Sequence, residues 1–198
     1  WCVDETDTCV IQGNVGTTST TSGWLSQSRN CIVRNNVGYN NKSQMQTGGE
    51  YNGSGFKLDC GGANCTHDHG LLAPGETQDN VIVHNTFYDN AAATAVRGNF
   101  YGVEISHAAA LRNLMKNNIF MNGGSARAVE LNDLDMFSTV DYNILYDAAR
   151  TLAFKRGTQA SLTFAQWKTA TGFDENSKVE DPLFTDAATL DFTLQAGS

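Results

Sequence analysis

The sequence predicts an all-β chain wound as a right-handed parallel β-helix, a solenoid with coils of about 25 residues and a short C-terminal helix. Three observations lead there. A motif of alternating apolar residues broken at an asparagine pair recurs along the chain. Further short strands with the same alternation lie between the recurrences. The composition is that of a turn-rich β protein, with 19 Gly among 198 residues, 40% hydrophobic residues and only 17% charged ones.

The motif reads Ile32-Val33-Arg34-Asn35-Asn36-Val37-Gly38-Tyr39-Asn40, then Ile82 to Asn90, Met115 to Asn122 and Val140 to Asp147. Each copy has two short strands separated by an Asn turn, because Asn tolerates the left-handed backbone and its amide satisfies turn backbone groups. With Asn35, Asn85, Asn117 and Tyr142 aligned, the steps are 50, 32 and 25 residues, read as two coils, one coil with an insertion and one plain coil. Asn35, Asn85 and Asn117 are then expected in one corner column, their amides bonding to the coils above and below.

Third strands follow at Gly55–Leu58, Val103–Ile105, Val129–Leu131 and Ala153–Lys155. Alternation turns their apolar residues inward and predicts one sheet with an outward column of Lys57, Glu104, Glu130 and Lys155. Two stretches break the pattern, Asn64 to Asp79 with His67, Asp68 and His69, and Ala91 to Asn99 followed by Phe100 and Tyr101. Loops that rise from a rigid scaffold are where a binding function would be carried. Thr163-Phe164-Ala165-Gln166 is a capping box, opening a helix that stops at Gly172, and strand alternation resumes at Asp181–Phe184 and Leu190–Leu194.

The organisation expected is a single domain over 1–198, with coils mainly in 29–160 and an irregular C-terminal segment in 161–198. Starting at Trp1 and stopping just after a strand-like segment, the chain reads as part of a longer one. Solenoid ends expose unpaired strand edges, so end-to-end association or covering by flanks is expected. The net charge of −8 and a pI near 4.8 argue against nucleic acid and anionic membranes as partners. No apolar run approaches the roughly 18–20 residues that cross a bilayer, so no membrane span is expected.

The cysteines point to an oxidising, extracellular compartment. Cys60-x4-Cys65 and Cys2-x6-Cys9 suit small disulfide loops, and Cys31 is left over to compete for either Cys2 or Cys9. Reduced, buried thiols remain the other reading, and the spacings contain no paired C-x2-C unit of a structural zinc site.

The Asn-rich repeats from Arg29 to Tyr146, with the tail from Asp181-Pro182-Leu183-Phe184 to Ser198, resemble the secreted right-handed parallel β-helix superfamily. More narrowly, Asn52-Gly53-Ser54-Gly55-Phe56-Lys57-Leu58 is similar to a stretch of the family-nine polysaccharide lyases, the pectate-lyase family whose motif Lys is the base. The resemblance implies a secreted protein that binds or cleaves an acidic polysaccharide by β-elimination. A base would remove the proton at C5 while a cation neutralises the uronate carboxylate. On that reading Lys57, Arg97, His67 and His69 are the catalytic candidates, and Lys57, Arg97 and Tyr101 the carbohydrate-binding ones. The family's calcium is the implied cofactor. Its acidic ligands should fall near Thr17–Leu25, where this chain reads Thr-Thr-Ser-Thr-Thr-Ser-Gly-Trp-Leu and offers no carboxylate. The competing expectation is a non-catalytic extracellular β-helix, a surface-layer, adhesin or filament subunit.

Overall fold

A computed structural model describes residues 2–4, 7–17, 21–26, 28–40, 54–59, 77–89, 103–105, 110–121, 129–131, 134, 137–149, 151–156 and 160–198. They are mostly β, arranged in parallel sheets, with one short α-helix. After β1 (Cys2–Asp4), the strands fall into successive tiers. The first holds β2 (Val10–Gln12), β3 (Val15–Thr17) and β4 (Thr21–Ser26), and the second β5 (Ile32–Arg34), β6 (Val37–Tyr39) and β7 (Ser54–Asp59). The third holds β8 (Thr77–Gln78), β9 (Val81–Val83), β10 (Thr86–Tyr88) and β11 (Val103–Ile105). The fourth holds β12 (Ala110–Leu111), β13 (Asn113–Lys116), β14 (Ile119–Met121) and β15 (Val129–Leu131), and the fifth β16 (Phe137–Asp141), β17 (Ile144–Tyr146) and β18 (Phe154–Arg156). Helix α1 (Phe164–Thr171), β19 (Lys178–Val179), β20 (Phe184–Asp186) and β21 (Asp191–Leu194) complete the chain.

Like strands of consecutive tiers pair in parallel, giving the orders β16-β13-β9-β5-β2, β19-β17-β14-β10-β6-β3 and β1-β4-β7-β11. In β2, β5, β6, β9, β10, β14 and β17 the central residue of the three is the buried one. Ile11, Val33, Ile82, Met115 and Val140 share one register row and are all buried. Gly16, Gly38, Phe87, Phe120 and Leu145 form the facing row, in which the rings of Phe87 and Phe120 stack at 5.2 Å. Burial of each such aliphatic or aromatic side chain stabilises the fold by roughly 1.5–3 kcal/mol.

Two corners hold the strands apart. Non-glycine residues with positive φ stand at equivalent places in each, Thr8, Asn30, Asp79 and Arg112 at the first, and Asn35, His84, Asn117 and Tyr142 at the second, where Gly13 leads the column. The residue after each turns its side chain inward. At the second corner Asn36 donates from its backbone N and Nδ2 to Asn85 Oδ1, Asn85 does the same to Asn118, and Asn118 to Asn143, all at 3.0–3.2 Å. Asn143 N donates to Ser177 Oγ at 2.9 Å, so a hydroxyl closes the ladder. The expected column of Asn35, Asn85 and Asn117 is thus corrected by one residue. Asn85 belongs to the buried ladder with Asn36 and Asn118, while Asn35 and Asn117 occupy the exposed left-handed turn beside His84. The inward position needs an amide that both donates and accepts, whereas the turn position needs only tolerance of positive φ.

Three further expectations change. The step from Asn35 to Asn85 is one tier and not two, because β5 pairs directly with β9 and β6 with β10. The intervening insertion does not interrupt the stack. Pairing also begins before residue 29, since β1 pairs with β4, and β2, β3 and β4 pair with β5, β6 and β7 of the second tier. The third strands form two sheets among the described residues, β7 with β11 and β15 with β18, so the single expected column divides into two register pairs, Lys57 with Glu104 and Glu130 with Lys155.

The expected Cys2–Cys9 disulfide is replaced by Cys9–Cys31, with Cα atoms 4.4 Å apart. The cause is register. Val10 pairs with Ile32, so the residues just before them are neighbours across tiers, whereas Cys2 lies in β1 opposite Trp24. Cys60 and Cys65 lie outside the described residues.

Helix α1 has the capping box that the spacing predicts. Thr163 N donates to Gln166 Oε1, Gln166 N donates back to Thr163 Oγ1, and Gly172 ends the helix at φ 70°. Its one buried residue, Trp167, stands 5.7 Å from the Phe154 ring and donates from Nε1 to Asp174 Oδ2 at 2.9 Å. Beyond β19, the antiparallel hairpin β20–β21 brings Phe192 against Tyr39 and Tyr88, on β6 and β10.

Candidate functional site

Lys57 lies in β7, where the pairing gives it Trp24 on one side and Glu104 on the other. Three neighbouring strands therefore place an aromatic, a cationic and a carboxylate residue at one register position. Aromatic rings stack on the apolar faces of sugars and ammonium groups pair with uronate carboxylates, so this row has the residue types of a sugar-acid site. Lys155 is paired in the same way with Glu130 in the second short sheet. Arg97, His67, His69 and Tyr101 lie outside the described residues.

The strand before Lys57 is β4, Thr21-Ser22-Gly23-Trp24-Leu25-Ser26, which carries no carboxylate. Its residues do not fit a calcium site, which needs several hard oxygen ligands, usually including carboxylates. Among the described residues no three His, Cys, Asp or Glu side chains are grouped to hold a metal ion.

The two corners carry different surface chemistry. At the first, charges are matched in pairs: Arg29 binds Asp7 at 2.9 Å, and Arg112 binds Asp79 at 2.6 Å. Hydrogen bonds from Asn30 and then Arg29 hold the Asp7 carboxyl below its ordinary value. At the second corner, the exposed turn residues Asn35, His84, Asn117 and Tyr142 run beside the row Arg34, Val83, Lys116 and Asp141. Arg34 Nε donates to Gln12 Oε1 at 3.0 Å, and Lys116 Nζ lies 5.8 Å from the centre of the Tyr142 ring. Asp141 accepts from Asn176 N, Asn176 Nδ2 and Tyr142 N at 2.7–2.9 Å.

Sequence reasoning missed this second corner as a surface. Arg34, His84, Lys116 and Tyr142 each fall in a different copy of the motif, so no local pattern joins them. No family model, curated protein or solved structure matches the chain.

Proposed function

We propose that the chain is an extracellular right-handed parallel β-helix that binds an acidic polysaccharide, resembling the polysaccharide lyases, with Lys57 as the cation that takes a uronate carboxylate. The observation that carries this reading is the row Trp24–Lys57–Glu104 across β4, β7 and β11. The tier-by-tier parallel pairing and the asparagine ladder support the β-helix, and the Cys9–Cys31 bond is compatible with an oxidising compartment.

In a lyase-like reaction Lys57 would abstract the C5 proton as the leaving oxygen departs from C4. The absence of carboxylates on β4 favours binding over elimination. The test is polygalacturonate with the wild-type chain and with Lys57→Ala. The reading requires oligosaccharide binding that the substitution weakens, and elimination would add a slowly growing ultraviolet absorbance lost in the same variant. A wild-type chain that neither binds nor cleaves polygalacturonate would remove it.

The second reading is a non-catalytic structural or adhesive β-helix that associates end to end. It is favoured by Val10 and Val15, 56% and 65% exposed on the edge strands β2 and β3. Concentration-dependent assembly without any sugar binding is the outcome that would select it.

A further inference from the structure

We infer that the second corner, along Arg34, His84, Lys116 and Tyr142, is a separate binding strip on which an anionic polysaccharide lies parallel to the stacking direction. The inference takes its ligand class from the proposed function but makes no use of Lys57.

The first support is spacing. Arg34 belongs to the second tier, His84 to the third, Lys116 to the fourth and Tyr142 to the fifth, so each tier presents one basic or aromatic group on two adjoining rows. Tiers of a parallel sheet repeat at about 4.8 Å. That is comparable with the length of one sugar residue in an extended 1,4-linked chain, so successive residues of a polymer would meet successive groups.

The second support is the backbone at Tyr142. A bulky side chain at φ 57° is an unfavourable occupant of a left-handed turn, and the same column shows what the turn alone prefers, namely Gly13, Asn35 and Asn117. At the first corner the large residue in the equivalent turn, Arg112, is engaged in an ion pair with Asp79. Tyr142 instead remains 52% exposed, with Lys116 Nζ over its ring. That arrangement offers a stacking surface next to a cation, the combination that a sugar acid uses.

The third support is charge. The chain as a whole carries −8, and the first corner neutralises its arginines with aspartates. Arg34 is bonded to the neutral amide of Gln12. The one carboxylate of the adjoining row, Asp141, is the register neighbour of Lys116 and also accepts from Asn176 and from the Tyr142 backbone, so its charge is shared among several partners.

The experiment is affinity electrophoresis of the full chain through polygalacturonate, with dextran as the neutral polymer, at low and raised salt. The variants are Arg34→Gln with Lys116→Gln, Tyr142→Asn, Lys57→Ala, and Lys178→Gln as a charge control from the exposed last tier. Tyr142→Asn keeps a residue suited to the turn, so its fold is retained while the ring is lost. The strip predicts at least tenfold weaker, salt-sensitive retardation in the double variant, several-fold weaker in Tyr142→Asn, and little change in Lys178→Gln. Loss in Lys57→Ala alone would overturn the strip and leave the Lys57 row standing. Loss in the strip variants alone would do the reverse. Equal small losses in the double variant and the Lys178 control, or no retardation of the wild type, would also overturn the strip.

Discussion

Cys31 and Asn80 are register neighbours, and the backbone N–H of Cys31 donates to Asn80 Oδ1 at 3.0 Å. Asn80 in turn donates from its N and Nδ2 to Asn113 Oδ1. A single inward column at the first corner therefore changes from a covalent link, Cys9–Cys31, to an amide ladder, Asn80–Asn113. An amide relay is secure where neighbouring tiers keep water out on both sides. The first tier is an edge, with Val10 and Val15 in solvent, and there the bridge performs the same joining without depending on desolvation.

Mass spectrometry of the non-reduced protein is therefore expected to find the Cys9 peptide linked to the Cys31 peptide. Closing a loop of 22 residues predicts a stabilisation of about 3 kcal/mol. On reduction, amide hydrogen exchange should accelerate first in 10–17, while the third and fourth tiers stay protected. Uniform acceleration would show that the bridge secures the whole stack and not its edge.

The second-corner ladder yields a contrast between neighbours. Asn85→Ala strips the acceptor from Asn36 N and Nδ2 and the donors from Val33 O and Asn118 Oδ1, all buried. Its expected cost in urea unfolding is about 2–4 kcal/mol, because several groups lose partners where water cannot replace them. Asn35→Gly, in the exposed turn at φ 55°, should stay within roughly 0.5 kcal/mol of wild type. Comparable losses at both positions would mean that the turn side chain also holds the tiers together.

Much of this was legible in the asparagine pairs, and the errors have physical sources. Aligned on the buried amide, the ladder steps are 22, 49, 33, 25 and 34 residues. The 49-residue step resembles two repeats only because an insertion between paired strands leaves no periodic trace. The one-residue slip arose because His84 fills a turn position that Asn fills in the copies around Asn35 and Asn117, so Asn85 was matched to the wrong member of each pair. Lys57 could be recognised as a strand residue, but its row with Trp24 and Glu104 depends on insertion lengths that local patterning does not encode. The corner strip was hidden for a related reason, since its four residues are of four different types.

Asp141 makes acid stability the last test. Burial raises its carboxyl, but hydrogen bonds from Asn176 and the Tyr142 backbone, with Lys116 nearby, outweigh that and hold it below the ordinary 3.8. A carboxyl with a lower value in the folded state than in the unfolded one contributes stability that is fully present above the unfolded value. The contribution is lost as the pH falls through the folded value. Asp7 and Asp191 are shifted in the same direction, so stability should be level above about pH 5 and decline below pH 4. Asp141→Asn keeps an oxygen acceptor but removes the titration, and should lower stability at pH 7 while flattening part of the acid decline. Because Asn176 precedes the Ser177 that closes the amide ladder, the lost stability should appear as faster hydrogen exchange around β17 and β19. A variant that declines with acid as steeply as the wild type would remove Asp141 from the account.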